Sequence, residues 1–374
     1  MRSAMNRALA IVFLTAIVIP VAANLTGHDG ADRGAENREM ADFPVFDRSL
    51  RSLARFPAGL DAWFGDHFGF RSTLVRWSSK MSVDLFGASP STSVVLGRDG
   101  WLFYADDGAY EDLASVSSLS DPEIDNWRTS ILRARDWLRS RGIAYVFTIP
   151  PDKHVIYPEQ LPATVRRTGP MSRADQVFAI LEGKDFVVNA RPALEAAARR
   201  ERIFDVTDSH WNERGAFVAY QAIIEAVRRQ VPRVPPARAR SDFEETVEIA
   251  DGGDLAGMIG LKRSLHEERL LLTPRDPRRA RVIEPPGAEP GADVGRLVTE
   301  IPGSTLPRAL VFRDSFTSAL VPFLSEHFSR VVYLWQDDFD ANEVLAEHPD
   351  VVIQEIVGRH LYTFIPSPEL VPNQ

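Results

Sequence analysis

Asp208-Ser209-His210-Trp211 sets a carboxylate and an imidazole two positions apart, directly after the apolar run Ile203 to Val206. In an extended stretch residues i and i+2 point to the same side, so the Asp208 carboxylate could reach a ring nitrogen of His210. A carboxylate there fixes the tautomer and stabilises the imidazolium that forms as the other nitrogen takes a proton. Trp211 could wall a site or offer a face to a sugar ring. Far along the chain, Val311-Phe312-Arg313-Asp314-Ser315-Phe316 takes an apolar strand into a turn and then a helix. Such a turn sets a serine at the C-terminal edge of a sheet, where open α/β folds bind ligands, and beside helix amides able to hold a developing oxyanion. A serine hydroxyl is a weak nucleophile until a neighbouring base takes its proton, and His210 could be that base. Each half also has a plainer reading: a turn with a satisfied histidine, and an N-capping serine.

The elements that must position these residues are legible as short apolar runs. Ile143 to Ile149, stopped by Pro150-Pro151, reads as a central strand buried on both faces. Similar runs recur at 186–188, 203–206, 309–312, 331–334 and 351–353, with helical patterns around 174–181, 192–200, 213–229, 316–328 and 341–347. A helix opens at Asp121-Pro122, with Asp121 as N-cap, and runs to about Arg141, where Gly142 ends it. This alternation predicts an α/β three-layer sandwich with a mainly parallel sheet. Asp99-Gly100 is a hairpin turn between Ser93 to Leu96 and Trp101 to Tyr104. Proline-rich stretches interrupt the pattern between residues 231 and 302, an irregular excursion with some β structure around Thr246 to Ile249.

Ahead of this lies Phe56, Leu60, Trp63, Phe64, His67 and Phe68, at helical spacing. At the N-terminus Arg2 and Arg7 precede an uncharged run from Ala8 to Leu25, which predicts an export signal or membrane anchor over 1–26. The basic flank sends the rest of the chain out of the cytoplasm. A polar tether fills 27–42, and 43–374 is read as the domain. The chain has 374 residues, no cysteine and a net charge of -9. Disulfides and thiolate metal sites are therefore excluded, and an acidic surface gives no footprint for nucleic acid.

With these motifs in this order, the chain resembles the AlgJ/AlgX alginate O-acetyltransferase family of SGNH-hydrolase-like proteins. The resemblance is carried by Phe64-Gly65-Asp66-His67-Phe68-Gly69-Phe70-Arg71, Gly100-Trp101-Leu102-Phe103, Pro151-Asp152-Lys153 with Tyr157-Pro158, Asp208-Ser209-His210-Trp211, Gly253-Asp254-Leu255-Ala256 and Arg313-Asp314-Ser315-Phe316. It implies Ser315 as nucleophile, His210 as general base and Asp208 as its orienter. The serine block follows the Asp-x-His block, a circularly permuted order relative to ordinary SGNH enzymes and typical of this group. The layout is nearer AlgJ, because the chain leaves no room for the carbohydrate-binding module of the AlgX type. The resemblance further implies an exported polysaccharide as acceptor, a membrane-bound O-acyltransferase partner as acetyl donor at the inner membrane, a periplasmic location and no cofactor.

Arg313 stands where the ordinary serine block has glycine, and either contacts a sugar carboxylate or serves a structural salt bridge. Gly253 and the Ser315 amide are candidate oxyanion donors, and Lys153 lines the cleft or holds structure. The remaining histidines show no paired spacing of the kind zinc sites use, so no metal is expected. No Walker-type phosphate loop is present. Two rivals to acetyl transfer remain: an esterase using the same triad, and a non-catalytic polysaccharide-binding or assembly subunit.

Overall fold

The computed structural model describes residues 2–25, 41–47, 49–67, 69–169 and 171–371. The tether expected over 27–42 lies almost wholly outside the described residues. The strands are β1 Val94–Leu96, β2 Leu102–Tyr104, β3 Ala144–Thr148, β4 Val187–Val188, β5 Phe243–Asp251, β6 His266–Pro274, β7 Arg281–Glu284, β8 Arg296–Glu300, β9 Arg308–Arg313, β10 Arg330–Trp335 and β11 Val351–Glu355. The chain forms two compact units, residues 1–94 with 251–266 and residues 95–250 with 267–374.

The first unit is helical, with helices Arg2–Leu25, Leu50–His67, Arg71–Phe86 and Asp254–Met258. Arg2–Leu25 covers the segment read as signal or anchor; among the described residues no helix is long and apolar enough to cross a membrane. The spacing of Phe56 and Trp63 puts both on one helix face, where Phe43 meets them edge-on at 6.3 and 5.1 Å. Gly260 has φ +70°, and a Cβ there would stand 3.1 Å from Val75 Cγ1, so the 251–266 segment approaches the Arg71–Phe86 helix closely.

The second unit holds a seven-stranded sheet in the order β4-β3-β11-β9-β10-β8-β7. The run from β4 to β10 is parallel, while β8 pairs antiparallel with β10 and β7 with β8. Alternate residues of the central strands enter two cores. Val146, Val311, Tyr333 and Ile353 pack with the Glu213–Gln230 helix, whereas Phe147, Phe312, Leu334 and Val352 pack with Trp127, Ile131 and Trp137 of the Asp121–Arg139 helix. Strands buried on both faces explain why they read as continuous apolar runs.

Three expectations are corrected. The N-cap of the Asp121–Arg139 helix is Ser120, whose amide and hydroxyl both donate to Glu123 Oε2 at 2.7 and 2.6 Å, a Ser-x-x-Glu pairing. The 231–302 stretch is not wholly an excursion, because β7 and β8 extend the main sheet. Residues 203–206 are not a sheet strand: they make one bridge, Phe204 to Trp211, and their amides go to side chains instead. Ile203 donates to the Tyr157 hydroxyl at 3.0 Å and Val206 to Glu267 Oε2 at 2.6 Å.

Candidate active site

β3, β9 and β11 are parallel and adjacent through β11, so the turns after them open at one edge of the sheet. After β9 the chain turns sharply through Asp314-Ser315-Phe316. Asp314 braces this turn, since its Oδ1 accepts the Phe316 amide at 2.8 Å and its Oδ2 the Val357 amide at 2.6 Å. Glu355 Oε2 accepts the Thr317 hydroxyl at 2.7 Å. Burial first, and then the adjacent Asp314 charge, push the Glu355 carboxyl well above its ordinary range. The helix expected over 316–328 is broken into a 3-10 turn Phe316–Ala319, a helix Val321–Leu324 and a second 3-10 turn Ser325–His327. Pro322 has no N–H for an i−4 bond and sits in the first turn of the middle piece, so a single long helix cannot form. Ser315 is therefore not at the mouth of a long helix dipole.

The second half of the site comes from the loop after 203–206. Lys153 is buried, and its Nζ donates to the carbonyls of Asp205, Val206 and Asp208 at 3.1, 3.1 and 2.6 Å. The loop is thereby fixed with Asp208 and His210 on it. Asp208 Oδ1 accepts the His210 amide at 3.0 Å and stands 2.8 Å from His210 Nδ1. A carboxylate only accepts, so Nδ1 carries the proton and Nε2 is left as the acceptor. His210 Nε2 lies 2.8 Å from Ser315 Oγ. The imidazole also rests against Phe316, ring centroids 5.2 Å apart. Asp208, His210 and Ser315 thus form one continuous hydrogen-bonded chain, with His210 and Asp208 side chains 29 and 24% exposed.

The other residues singled out in the sequence have different surroundings. Trp211 is buried, its Nε1 donates to the Phe316 carbonyl at 3.1 Å, and its ring meets Phe316 edge-on at 5.0 Å, so it supports the turn that carries Ser315 and offers no face to a sugar. Arg313 is fully buried with its guanidinium directed inward, to the Ala292 carbonyl at 2.8 Å and Ser318 Oγ at 2.9 Å, over the Trp335 ring at 4.2 Å. That is the structural alternative, and the contact with a sugar carboxylate is corrected. Lys153 holds backbone carbonyls in place of lining the cleft. Gly253 precedes the Asp254–Met258 helix in the other unit.

Two residues were passed over in the sequence. Arg359, after β11, is buried, and its Nη2 lies 3.5 Å from Ser315 Oγ. Asp152, after β3, accepts Arg359 Nη1 at 2.7 Å and the Arg359 amide at 2.9 Å. Asp152 lay inside a quoted motif, but nothing local flagged Arg359. Ligating atoms of Asp314, Asp337 and His360 gather within 4.8 Å of one another. Burial alone would lower the His360 pKa, yet its hydrogen bond to Asp337 at 3.0 Å and the Asp314 charge raise it.

Residues 94–347 match the SGNH hydrolase-like domain of the acetyltransferase AlgX family. Among curated proteins, the chain is 33% identical over 142 residues to a probable alginate O-acetylase AlgJ of Pseudomonas putida, covering 37% of this chain and 34% of that one. It is 31% identical over 196 residues to a probable alginate O-acetylase AlgJ of Pseudomonas syringae pv. tomato, covering 52% of this chain and 48% of that one. The chain thus spans a third to a half of the length of these relatives. Bacillus cereus PatB1 shares the fold at TM-score 0.55 and 18% identity, covering 72% of this chain and 96% of that structure.

Proposed function

Because the chain belongs to the SGNH hydrolase-like acetyltransferase AlgX family, we propose that it transfers acetyl groups to sugar hydroxyls of an exported polysaccharide through Ser315, His210 and Asp208. The observation that carries this reading is the single imidazole standing 2.8 Å from both the Ser315 hydroxyl and the Asp208 carboxylate. In the first step Ser315 Oγ attacks the carbonyl carbon of an acetyl donor while its proton passes to His210 Nε2. The tetrahedral intermediate collapses, the donor's leaving group takes that proton from His210, and acetyl-Ser315 remains. A sugar hydroxyl then gives its proton to His210, attacks the acetyl carbonyl and leaves acetylated, returning the proton to Ser315. Asp208 holds the ring tautomer throughout and stabilises each imidazolium.

The curated relatives are named alginate O-acetylases, and the acceptor proposed here is accordingly a uronic-acid polymer. The acetyl group reaches Ser315 from a membrane-bound O-acyltransferase, with this chain exported and held at the inner membrane on its periplasmic side. No coenzyme A site is then required. The test is incubation of the full chain with 4-nitrophenyl acetate and an oligouronate acceptor, followed by mass spectrometry of the sugar. Acetylated sugar from the wild type and none from Ser315→Ala is expected. Acetate release that ignores the sugar would instead favour an esterase, and unchanged polymer acetylation in cells carrying Ser315→Ala would remove this chain from the chemistry.

A further inference from the structure

The serine needs a donor for the negative charge that develops on the acetyl oxygen, and the turn supplies few. The Phe316 amide is already taken by Asp314 Oδ1 at 2.8 Å, and the residue before Asp314 is Arg313, whose guanidinium faces the interior. Arg359 stands on the open side of this shortage. It is 5% exposed, its Nη2 lies 3.5 Å from Ser315 Oγ, and its flanks are the Phe316 and Tyr104 rings at 5.4 and 5.3 Å.

Its position is tightly determined. One carboxylate, Asp152, grips it twice: Oδ1 takes Nη1 at 2.7 Å and Oδ2 takes the Arg359 amide at 2.9 Å. The Gly358 amide donates to the Pro150 carbonyl at 3.0 Å, which ties the turn after β11 to the turn after β3. Both anchors come from turns after parallel strands of the same sheet. The Asp152 pair satisfies Nη1 alone; Nε is buried with no hydrogen-bond partner among the described residues, and Nη2 is directed at the serine. A buried guanidinium with one edge neutralised and another aimed at a reacting oxygen is prepared for an anion that arrives only during reaction.

We propose that Arg359, held by Asp152, is the cationic donor that binds the oxyanion in both tetrahedral intermediates. The inference rests on Ser315 being the nucleophile. As Oγ bonds to the carbonyl carbon, the C=O π pair moves onto oxygen beside Nη2, and the Oγ proton moves to His210. Collapse returns that pair to C=O and expels the leaving group. The second attack, by the sugar hydroxyl, uses the same donor, and no net charge enters or leaves the site. Asp152 acts through Arg359 and is a positioning residue.

The experiment measures acetyl transfer from 4-nitrophenyl acetate by the full chain, with thermal melting alongside. Arg359→Ala is expected to lower kcat by about 10²–10³, the loss typical of one oxyanion donor, with KM within about threefold. Added guanidinium ion is expected to restore part of the lost kcat, which no purely structural role would allow. The double variant Asp152→Asn with Arg359→Ala removes the carboxylate that the single variant strands, and should show the same kcat loss in a folded protein. Should both melt below the assay temperature, Arg359→Lys is read instead, and a loss of about tenfold or more in kcat is expected. Wild-type kcat in any folded Arg359 variant, or a loss confined to KM, overturns the proposal. If Arg359 variants stay active while Ser315→Ala is dead, this inference alone fails; an active Ser315→Ala brings down the nucleophile reading itself.

Discussion

Glu355 Oε2 accepts the backbone amide of Asp314 at 3.1 Å, so the last residue of β11 fastens the turn that follows β9. Burial and the Asp314 charge raise the Glu355 pKa, which means the folded protein binds a proton there that the unfolded chain releases near pH 4.5. Stability is then greatest below that unfolded value and falls as pH rises toward the folded one. Glu355→Gln keeps an acceptor and never ionises, so its melting temperature should decline less than the wild type's from about pH 5 upward. Glu355→Ala leaves the Asp314 amide and Thr317 hydroxyl without this acceptor, and denaturant titration should show a loss of about 1–3 kcal/mol. Parallel wild-type and Gln profiles would mean that the carboxyl is not protonated in the fold.

Lys153 ties down three carbonyls of the loop that carries Asp208. Lys153→Met fills similar space without donors, and the loop should loosen. The expected result is a lower melting temperature together with a kcat reduced roughly 10–100-fold, since small misplacement of a catalytic group has that effect. KM for the acetyl donor should change little. A variant that melts early but turns over normally would detach Lys153 from the site.

The two halves of the Asp208–His210–Ser315 hydrogen-bonded chain were legible because a carboxylate and an imidazole two positions apart, and a serine after an apolar strand, are local patterns. Their meeting across the sheet edge was a further inference, drawn from complementary needs. Arg359 was invisible for the opposite reason. Its partners, Asp152 and Ser315, lie 207 and 44 positions away, and no spacing along the chain encodes a contact made by three separate turns. Residues 203–206 were misread as a strand because apolar burial, which periodicity detects, does not require a ladder; side chains of Tyr157 and Glu267 take the amides instead. β7 and β8 were missed because the prolines around them mask two short strands at one end of the sheet.

His327 offers a pH test away from the site. Its Nδ1 faces the Pro235 carbonyl at 3.2 Å, which only accepts, so the neutral ring carries its proton there and Nε2 accepts from the Tyr220 hydroxyl at 2.6 Å. Burial lowers its pKa from 6.5 to about 4. Protonation in the unfolded chain therefore begins first, and stability present above pH 6.5 is lost as pH falls toward 4, by up to roughly 3 kcal/mol. His327→Gln does not titrate and should flatten the stability profile across that window, read by urea unfolding at several pH values. An unchanged acid limb would assign the loss to other groups.

Arg313 separates a structural cation from a sugar-binding one. In the fold its Nη2 donates to the Ala292 carbonyl at 2.8 Å and its Nη1 to Ser318 Oγ at 2.9 Å, tying the 292–294 loop to the strand that ends at the Ser315 turn. A lysine keeps the charge but cannot span both partners, because its ammonium is a point donor and not a planar fork. Arg313→Lys should therefore lower unfolding free energy by about 1–3 kcal/mol through the acceptors it strands. With the guanidinium bonded inside the fold, the substitution should leave KM for an oligouronate within about twofold. Were the guanidinium a sugar ligand, the order would invert: near-normal stability, and a KM raised about tenfold or more for the charged acceptor but not for a neutral one. Measuring both quantities on the same preparation distinguishes the cases, because a change in folding reports on the loop and a charge-selective change in KM reports on the acceptor.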